Sequence, residues 1–221
     1  ALHICCDTEK KLVVTGFATI LFIGPVARTV GEALVAVFAF LFKTPGLNYV
    51  GALLFGSLYA PLVITGLHHT FIAVDLQLAA ASGGTFIWPL IALSNIAQSG
   101  AVFATYFLYK SDKKQESVSL SGTVSAWFGI TEPAMFGANL KYMYPFYAAL
   151  VGSAIGALIS TALGVLANGI GVGGLALAFL SIKFEGAHQI GFALASIAAF
   201  GLAFVLTFVF SKTKLNKGSL A

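Results

Sequence analysis

The stretch WFGITEPAMFGANLKYMYPF, residues 127–146, decides how the rest of the chain is read. It is apolar enough to lie in a membrane, yet it carries Glu132, Asn139, Lys141 and two prolines. Pro133 cannot donate a backbone hydrogen bond and disfavours helix at the residue before it. The stretch therefore predicts Glu132 in extended backbone, just ahead of a helix that starts at Pro133. The free N–H groups and positive dipole end of that helix would keep a carboxylate ionised. Two readings stay open on composition: a ligand-binding carboxylate, or an ordinary helix-start residue in a loop.

Working outward, the 221 residues are 58% hydrophobic and only 9% charged, with a mean hydropathy of +0.94. A soluble domain carries about 25% charged residues. Apolar runs recur at 12–27, 33–42, 49–67, 86–109, 146–167 and 189–210. Several reach the roughly 20 residues a helix needs to cross about 30 Å of hydrocarbon. The runs lack the alternation of a transmembrane barrel, and open sheets leave backbone groups unpaired in lipid. The fold class expected is an all-α polytopic membrane protein.

The net charge of +4 comes largely from two short segments, YKSDKKQES (109–117) and SKTKLNKGSL (211–220). Basic short segments stay cytoplasmic, so both are expected on that face. No groove-reading or stacking pattern accompanies them, so nucleic acid is not an expected partner. Cys5 and Cys6 are adjacent, with no C-x-x-C or matching His spacing, which predicts neither a disulfide nor a metal site. Residues 1–11 show no cleavable leader.

Along the chain a helix is expected over 10–42, bent near Gly24-Pro25, with Arg28 and Glu32 four apart and able to pair. A turn at 43–48 and a span at 49–66 follow. Residues 65–86, TGLHHTFIAVDLQLAAASGGTF, are too polar and Gly-rich for a plain span. A span over 86–109 and a basic loop over 110–117 lead into 118–145, broken by Gly129, Pro133, Gly137 and Pro145. Two last spans, 146–167 and 188–210, flank NGIGVGG (168–174). That Gly run lacks the Lys-Ser/Thr of a phosphate loop.

Two segments thus combine membrane context with broken-helix chemistry, and both hold ionisable residues. In transporters such segments mark substrate sites, and an ionisable residue at membrane depth costs about 2.5 kcal/mol or more. Adjacent His68 and His69 point about 100° apart on a helix, a poor metal pair. They are ligands or packed side chains. Asp75, seven residues after His68, can share its helix face or cap a helix end. Lys141 is expected to snorkel among Tyr142 and Tyr144 rather than pair with Glu132. Asn95 and Gln98 are substrate ligands or interhelical links.

GITEPAMFGANLKYMYPF (129–146) together with APLVITGLHHTF (60–71) resembles the enzyme IIC permeases of the bacterial sugar phosphotransferase system, glucose superfamily. GGTFIWPLIALSNIAQSGAVFA and ANGIGVGGLALAFLSI are similar to the disaccharide branch, trehalose ahead of sucrose. The resemblance runs from about Thr15 to about Phe210 and implies a set of expectations. Residues 12–210 correspond to the C-terminal portion of the permease domain, with 12–48 as linker or scaffold helix and 49–210 as the sugar-transport domain. Residues 1–11 do not match, and 211–221 form a basic cytoplasmic tail. Sugar binds between two re-entrant hairpins and moves toward the cytoplasm of a bacterial cell, across its cytoplasmic membrane, in an elevator-like fashion. Its contacts come from His68, His69, Asp75, Thr131, Glu132 and Asn139, with Glu132 also polarising the hydroxyl that accepts phosphate. No cofactor or metal is implied. Partners are a disaccharide, the EIIB and EIIA phosphocarriers, the bilayer, and a second copy in the full-length permease. Cys5 and Cys6 lack the arginine-rich surroundings of an EIIB phosphocysteine, so phosphate comes from a separate EIIB. The rival readings are an ion-coupled carrier using Asp75 and Glu132, a membrane protein without transport activity, and a metalloenzyme, the last lacking an H-E-x-x-H spacing.

Overall fold

The computed structural model describes residues 11, 14–17, 19–44, 46–171, 173–175 and 177–213. The N-terminal cysteines, the Arg28 and Glu32 side chains and the tail beyond Thr213 lie outside the described residues.

The described chain is helical. A π-turn at Thr19–Ile23 runs into α1 (Gly24–Lys43), so the helical hydrogen-bonding pattern changes at Gly24. Then come α2 (Asn48–Thr65), α3 (His69–Ser82), α4 (Ile87–Leu108), α5 (Lys113–Trp127), α6 (132–142), α7 (Tyr144–Ala162), α8 (Ala178–Ser181) and α9 (His188–Ser211). Four of these, α2, α4, α7 and α9, are long and apolar enough to cross a membrane. Their bounds fall within a few residues of the apolar runs, because length and hydropathy together fix a span.

The basic loop is shorter than 110–117. Asp112 accepts the N–H groups of Lys114 and Gln115 at 3.0 and 3.2 Å, and so starts α5 at Lys113. An aspartate ahead of a helix satisfies donors that are otherwise left over in the first turn. Glu116 sits in that turn and pairs with Lys113 at 2.8 Å on the surface.

Helix α4 is the axis of the bundle. It packs on α2, α5, α7 and α9, and almost all of it is buried. Helix α9 is buried on one side only, leaving Ile190, Leu194, Ile197 and Val205 exposed. That exposed stripe suits a lipid face, where apolar side chains have no reason to turn inward.

Helices associate in hydrocarbon by close contact of small residues. Gly152 and Gly156 of α7 lie against Ala195, Ala199 and Ala203 of α9. A Cβ added at Gly152 would sit 2.6 Å from the Ala199 carbonyl oxygen, and one at Gly156 would sit 2.7 Å from the Ala199 Cβ. The G-x3-G spacing facing an A-x3-A-x3-A spacing is what brings the two backbones together.

One end of the bundle is joined by a short backbone stitch. Thr85 and Ala167 exchange both N–H···O bonds at 2.8 Å, Lys183 donates to Leu166 at 2.9 Å, and Asn168 donates to Ser181 at 2.8 Å. Residues 82–86, 165–168 and 181–183 are thereby held as one unit.

Candidate functional site

Helices α5 and α6 form a helical hairpin. Helix α5 ends at Trp127, residues 128–131 turn, and α6 returns alongside it. Gly129 takes φ +89°, a left-handed backbone suited to glycine. Its position also lets the chain at Gly173 and Gly174 approach, since an added Cβ would meet both nitrogens at 3.1 Å. This is where the NGIGVGG run acts: as backbone packed on the hairpin turn, with Asn95 of α4 donating to the Gly173 carbonyl at 3.0 Å.

Glu132 departs from the extended conformation expected of it. It is the first residue of α6, with Pro133 second and Thr131 as the flanking residue. Pro costs the helix nothing in the first turn, because that N–H has no helical acceptor anyway. The helical start outweighs the preference of a residue preceding proline. Glu132 is exposed and has no ion-pair partner among the described residues. Thr131 is 4% exposed, and its carbonyl accepts the N–H of Met135 at 2.8 Å.

The second segment approaches from α2. Gly66 caps α2 at φ 77°, and the chain turns through His68 into α3. His68 is half-buried and His69 exposed, with ring centroids 4.0 Å apart. The His68 ring meets Tyr59 edge-on at 6.2 Å, and Tyr59 stacks on Phe55 at 5.5 Å. The carboxylate of Glu132 lies within electrostatic reach of both the His68 ring and the Tyr59 hydroxyl. Glu132, His68 and Tyr59 are thus within electrostatic reach of one another, and Tyr59 is within reach of Asp75 as well. Tyr59 was not singled out by its sequence; in the run SLYAPL nothing separates it from a core tyrosine.

Asp75 and Asn139 sit differently. Asp75 is 0% exposed, and one carboxylate oxygen accepts the Thr85 hydroxyl while the other has no partner. Asn139, also 0% exposed, lies in a π-turn over Met135–Asn139. Its amide donates to the Gln98 side-chain oxygen at 2.7 Å and to the Gln98 carbonyl at 3.1 Å. Gln98 thus acts in this conformation as an interhelical link, and Asn95 ties α4 to the loop at Gly173.

Lys141 does not meet Glu132. It donates to Gln115 at 2.7 Å and lies 5.1 Å from the Tyr142 ring centroid. Tyr142 and Tyr144, expected in an interfacial belt, are buried. Tyr142 stacks on Tyr109 at 4.2 Å, and the Tyr144 hydroxyl donates to the Tyr109 hydroxyl at 3.2 Å. The stack ties the end of α6 to the end of α4, a stronger use of three rings than lipid contact. No three His, Cys, Asp or Glu side chains among the described residues converge as metal ligands.

Four long apolar helices, with a helical hairpin packed on the central one, define a polytopic membrane protein. A family model described as phosphotransferase system, EIIC matches residues 10–153, and the chain belongs to that family. It is 46% identical over 191 residues to the trehalose-specific EIIBC component of Bacillus subtilis (strain 168), covering 86% of this chain and 40% of that protein. Identity to the trehalose-specific EIIBC component of Escherichia coli (strain K12) is 44% over 210 residues, covering 95% and 43%. With the sucrose-specific EIIBC component of Staphylococcus xylosus it is 45% over 186 residues, covering 83% and 38%. The chain spans less than half the length of these relatives. No solved structure matches it.

Proposed function

We propose that this chain is the sugar-binding part of a phosphotransferase-system permease in a bacterial cytoplasmic membrane. Its substrate is a disaccharide, with trehalose ahead of sucrose, as in the names of the relatives. The observation that carries this reading is the exposed Glu132 at the tip of a helical hairpin, in the field of His68 and Tyr59.

Helix α5 has 15 residues and α3 has 14, about 22 and 21 Å at about 1.5 Å per residue. Neither crosses about 30 Å of hydrocarbon, which supports re-entrant segments meeting at membrane depth. A carboxylate accepts several hydrogen bonds, which suits the paired hydroxyls of a sugar ring. On this reading Glu132, His68, His69 and Thr131 touch the sugar, while Asp75 and Asn139 hold the walls. The basic residues Lys110, Lys113, Lys114 and Lys212 lie at one end of the bundle, which the positive-inside tendency assigns to the cytoplasm.

The partner on that side is a separate EIIB carrying phosphocysteine, itself charged from EIIA. Its S–P bond breaks as a P–O bond forms to a sugar hydroxyl polarised by Glu132. The hydroxyl proton leaves to the carboxylate or to water. The remaining scaffold of the full-length permease supplies contacts to a second copy.

The experiment is thermal unfolding of the detergent-purified chain with and without millimolar trehalose, sucrose, maltose or glucose. A ligand that binds only the folded state stabilises by about 2.7 kcal/mol at a hundredfold excess over Kd. A rise in Tm with one disaccharide, absent in Glu132→Gln, is the expected result. The same rise in Glu132→Gln removes this residue from the site. In vesicles, uptake driven by a proton gradient rather than phosphoenolpyruvate would replace the phosphotransferase reading with the ion-coupled one.

A further inference from the structure

A cavity of about 290 Å³ has none of the hairpin-tip residues in its lining. Phe42 and Phe86, with ring centroids 4.8 Å apart, form one wall. Asn48, Ser160, Thr161 and Gly164 supply the polar part of the lining. No ionisable side chain lines it. The Oδ1 atom of Asn48 is buried and has no hydrogen-bond partner. Buried carbonyl oxygens in folded proteins find a donor in the great majority of cases, so this acceptor awaits one.

The position matters as much as the lining. Phe86 precedes the first turn of α4, whereas Lys110, Lys113 and Lys114 follow its last. The 22 residues of α4 separate the two by about 33 Å. With the lysines on the cytoplasmic side, the cavity lies at the opposite end of α4, the side from which sugar arrives.

Its chemistry selects a neutral ligand. An anion finds no cation in the lining, and a cation finds no carboxylate. An amide oxygen, two hydroxyls and a pair of phenyl rings match the hydroxyl edge and C–H face of a pyranose. Small-molecule sites run from about 300 to 1,000 Å³, and this one, at the low end, suits one ring rather than two.

We propose that the Phe42–Asn48–Thr161 cavity is an outer subsite that takes one uncharged glycosyl ring of the incoming sugar before it reaches the hairpin tip. The proposal rests on the permease reading for its direction and its substrate class.

Labelling kinetics test it. Thr161→Cys, in a background with Cys5→Ser and Cys6→Ser, is reacted with a membrane-impermeant maleimide in right-side-out vesicles. Trehalose and methyl α-glucoside are the probes, and betaine at equal osmolality is the control. Labelling is expected to slow at least threefold with either sugar, to do so equally in Glu132→Gln, and to lose the effect in Asn48→Leu. If that variant does not fold, Asn48→Ser keeps a smaller polar group and is expected to weaken protection. An unchanged rate with sugar overturns the proposal. So does protection that disappears in Glu132→Gln, because the thiol then reports the hairpin tip. Labelling only after permeabilisation overturns the assigned side. The Tm response to trehalose is read separately, so failure at the hairpin tip is distinguishable from failure here.

Discussion

The hydroxyl of Thr85 donates to the carboxylate of Asp75 and accepts the N–H of Ile87 at 3.1 Å. One side chain thus ties the middle of α3 to the first turn of α4. Because Thr85 also pairs with Ala167, the tie reaches the C-terminal half of the chain.

Thr85→Val should therefore be the more damaging of two changes at this link. It leaves a fully buried carboxylate without its hydrogen bond, at a cost of about 1–3 kcal/mol or more. Asp75→Asn removes the charge and keeps an acceptor, so its loss should be smaller. Unfolding in detergent gives the order, and a larger loss for Asp75→Asn would contradict it.

Glu132→Gln should leave the fold intact. The side chain is exposed and carries no ion pair among the described residues, so its ligand-free Tm should stay within about 0.5 kcal/mol equivalent of the parent. What it should lose is the stabilisation by disaccharide. A large fall in the ligand-free Tm would make Glu132 a structural residue.

Gly152→Leu should separate α7 from α9. Even a methyl group there would lie 2.6 Å from a backbone oxygen and 2.9 Å from the Ala203 Cβ. Overpacking of this kind costs about 1–3 kcal/mol, and more where backbone must move. Size-exclusion profile and Tm give the readout; Gly201→Leu, with nothing within 4 Å of its Cβ position, is the control.

Asn139→Leu and Gln98→Leu should be coupled. Each alone breaks the bond between the two amides, leaving the Gln98 oxygen without its donor in Asn139→Leu and Asn139 with only its bond to the Gln98 backbone carbonyl in Gln98→Leu; the double change removes both amides. A double-mutant cycle should give an interaction energy of about 0.5–3 kcal/mol. Simple additivity in Tm or denaturant midpoint would mean the two amides do not depend on one another.

The spans were legible in the sequence because apolar length alone defines them; α2, α4, α7 and α9 lie close to the expected runs. The polar break around Glu132 was legible for the same reason, as was the odd chemistry of residues 65–86. The conformation at Glu132 was not, because a local preference of about one residue yields to the helix that follows. Burial of Asp75 and Asn139 was equally hidden. Whether a polar side chain faces a cavity or another helix depends on partners such as Thr85 and Gln98, 10 and 41 residues away. The tyrosines show this most plainly: KYMYPFY has the composition of an interfacial belt, and only the position of Tyr109 turns it inward.

The stitch through Ala167 has a consequence for how the chain is made. Thr85 cannot complete its backbone pairing until Ala167 has left the ribosome, and Ala167 itself is flanked by bonds to residues 181 and 183. Contacts of such long sequence separation form late, after the loop-closure entropy of the intervening chain has been overcome. The end of the bundle bearing Phe86 therefore closes late in synthesis, after residue 183 has emerged, while the α5–α6 hairpin, local in sequence, can fold first.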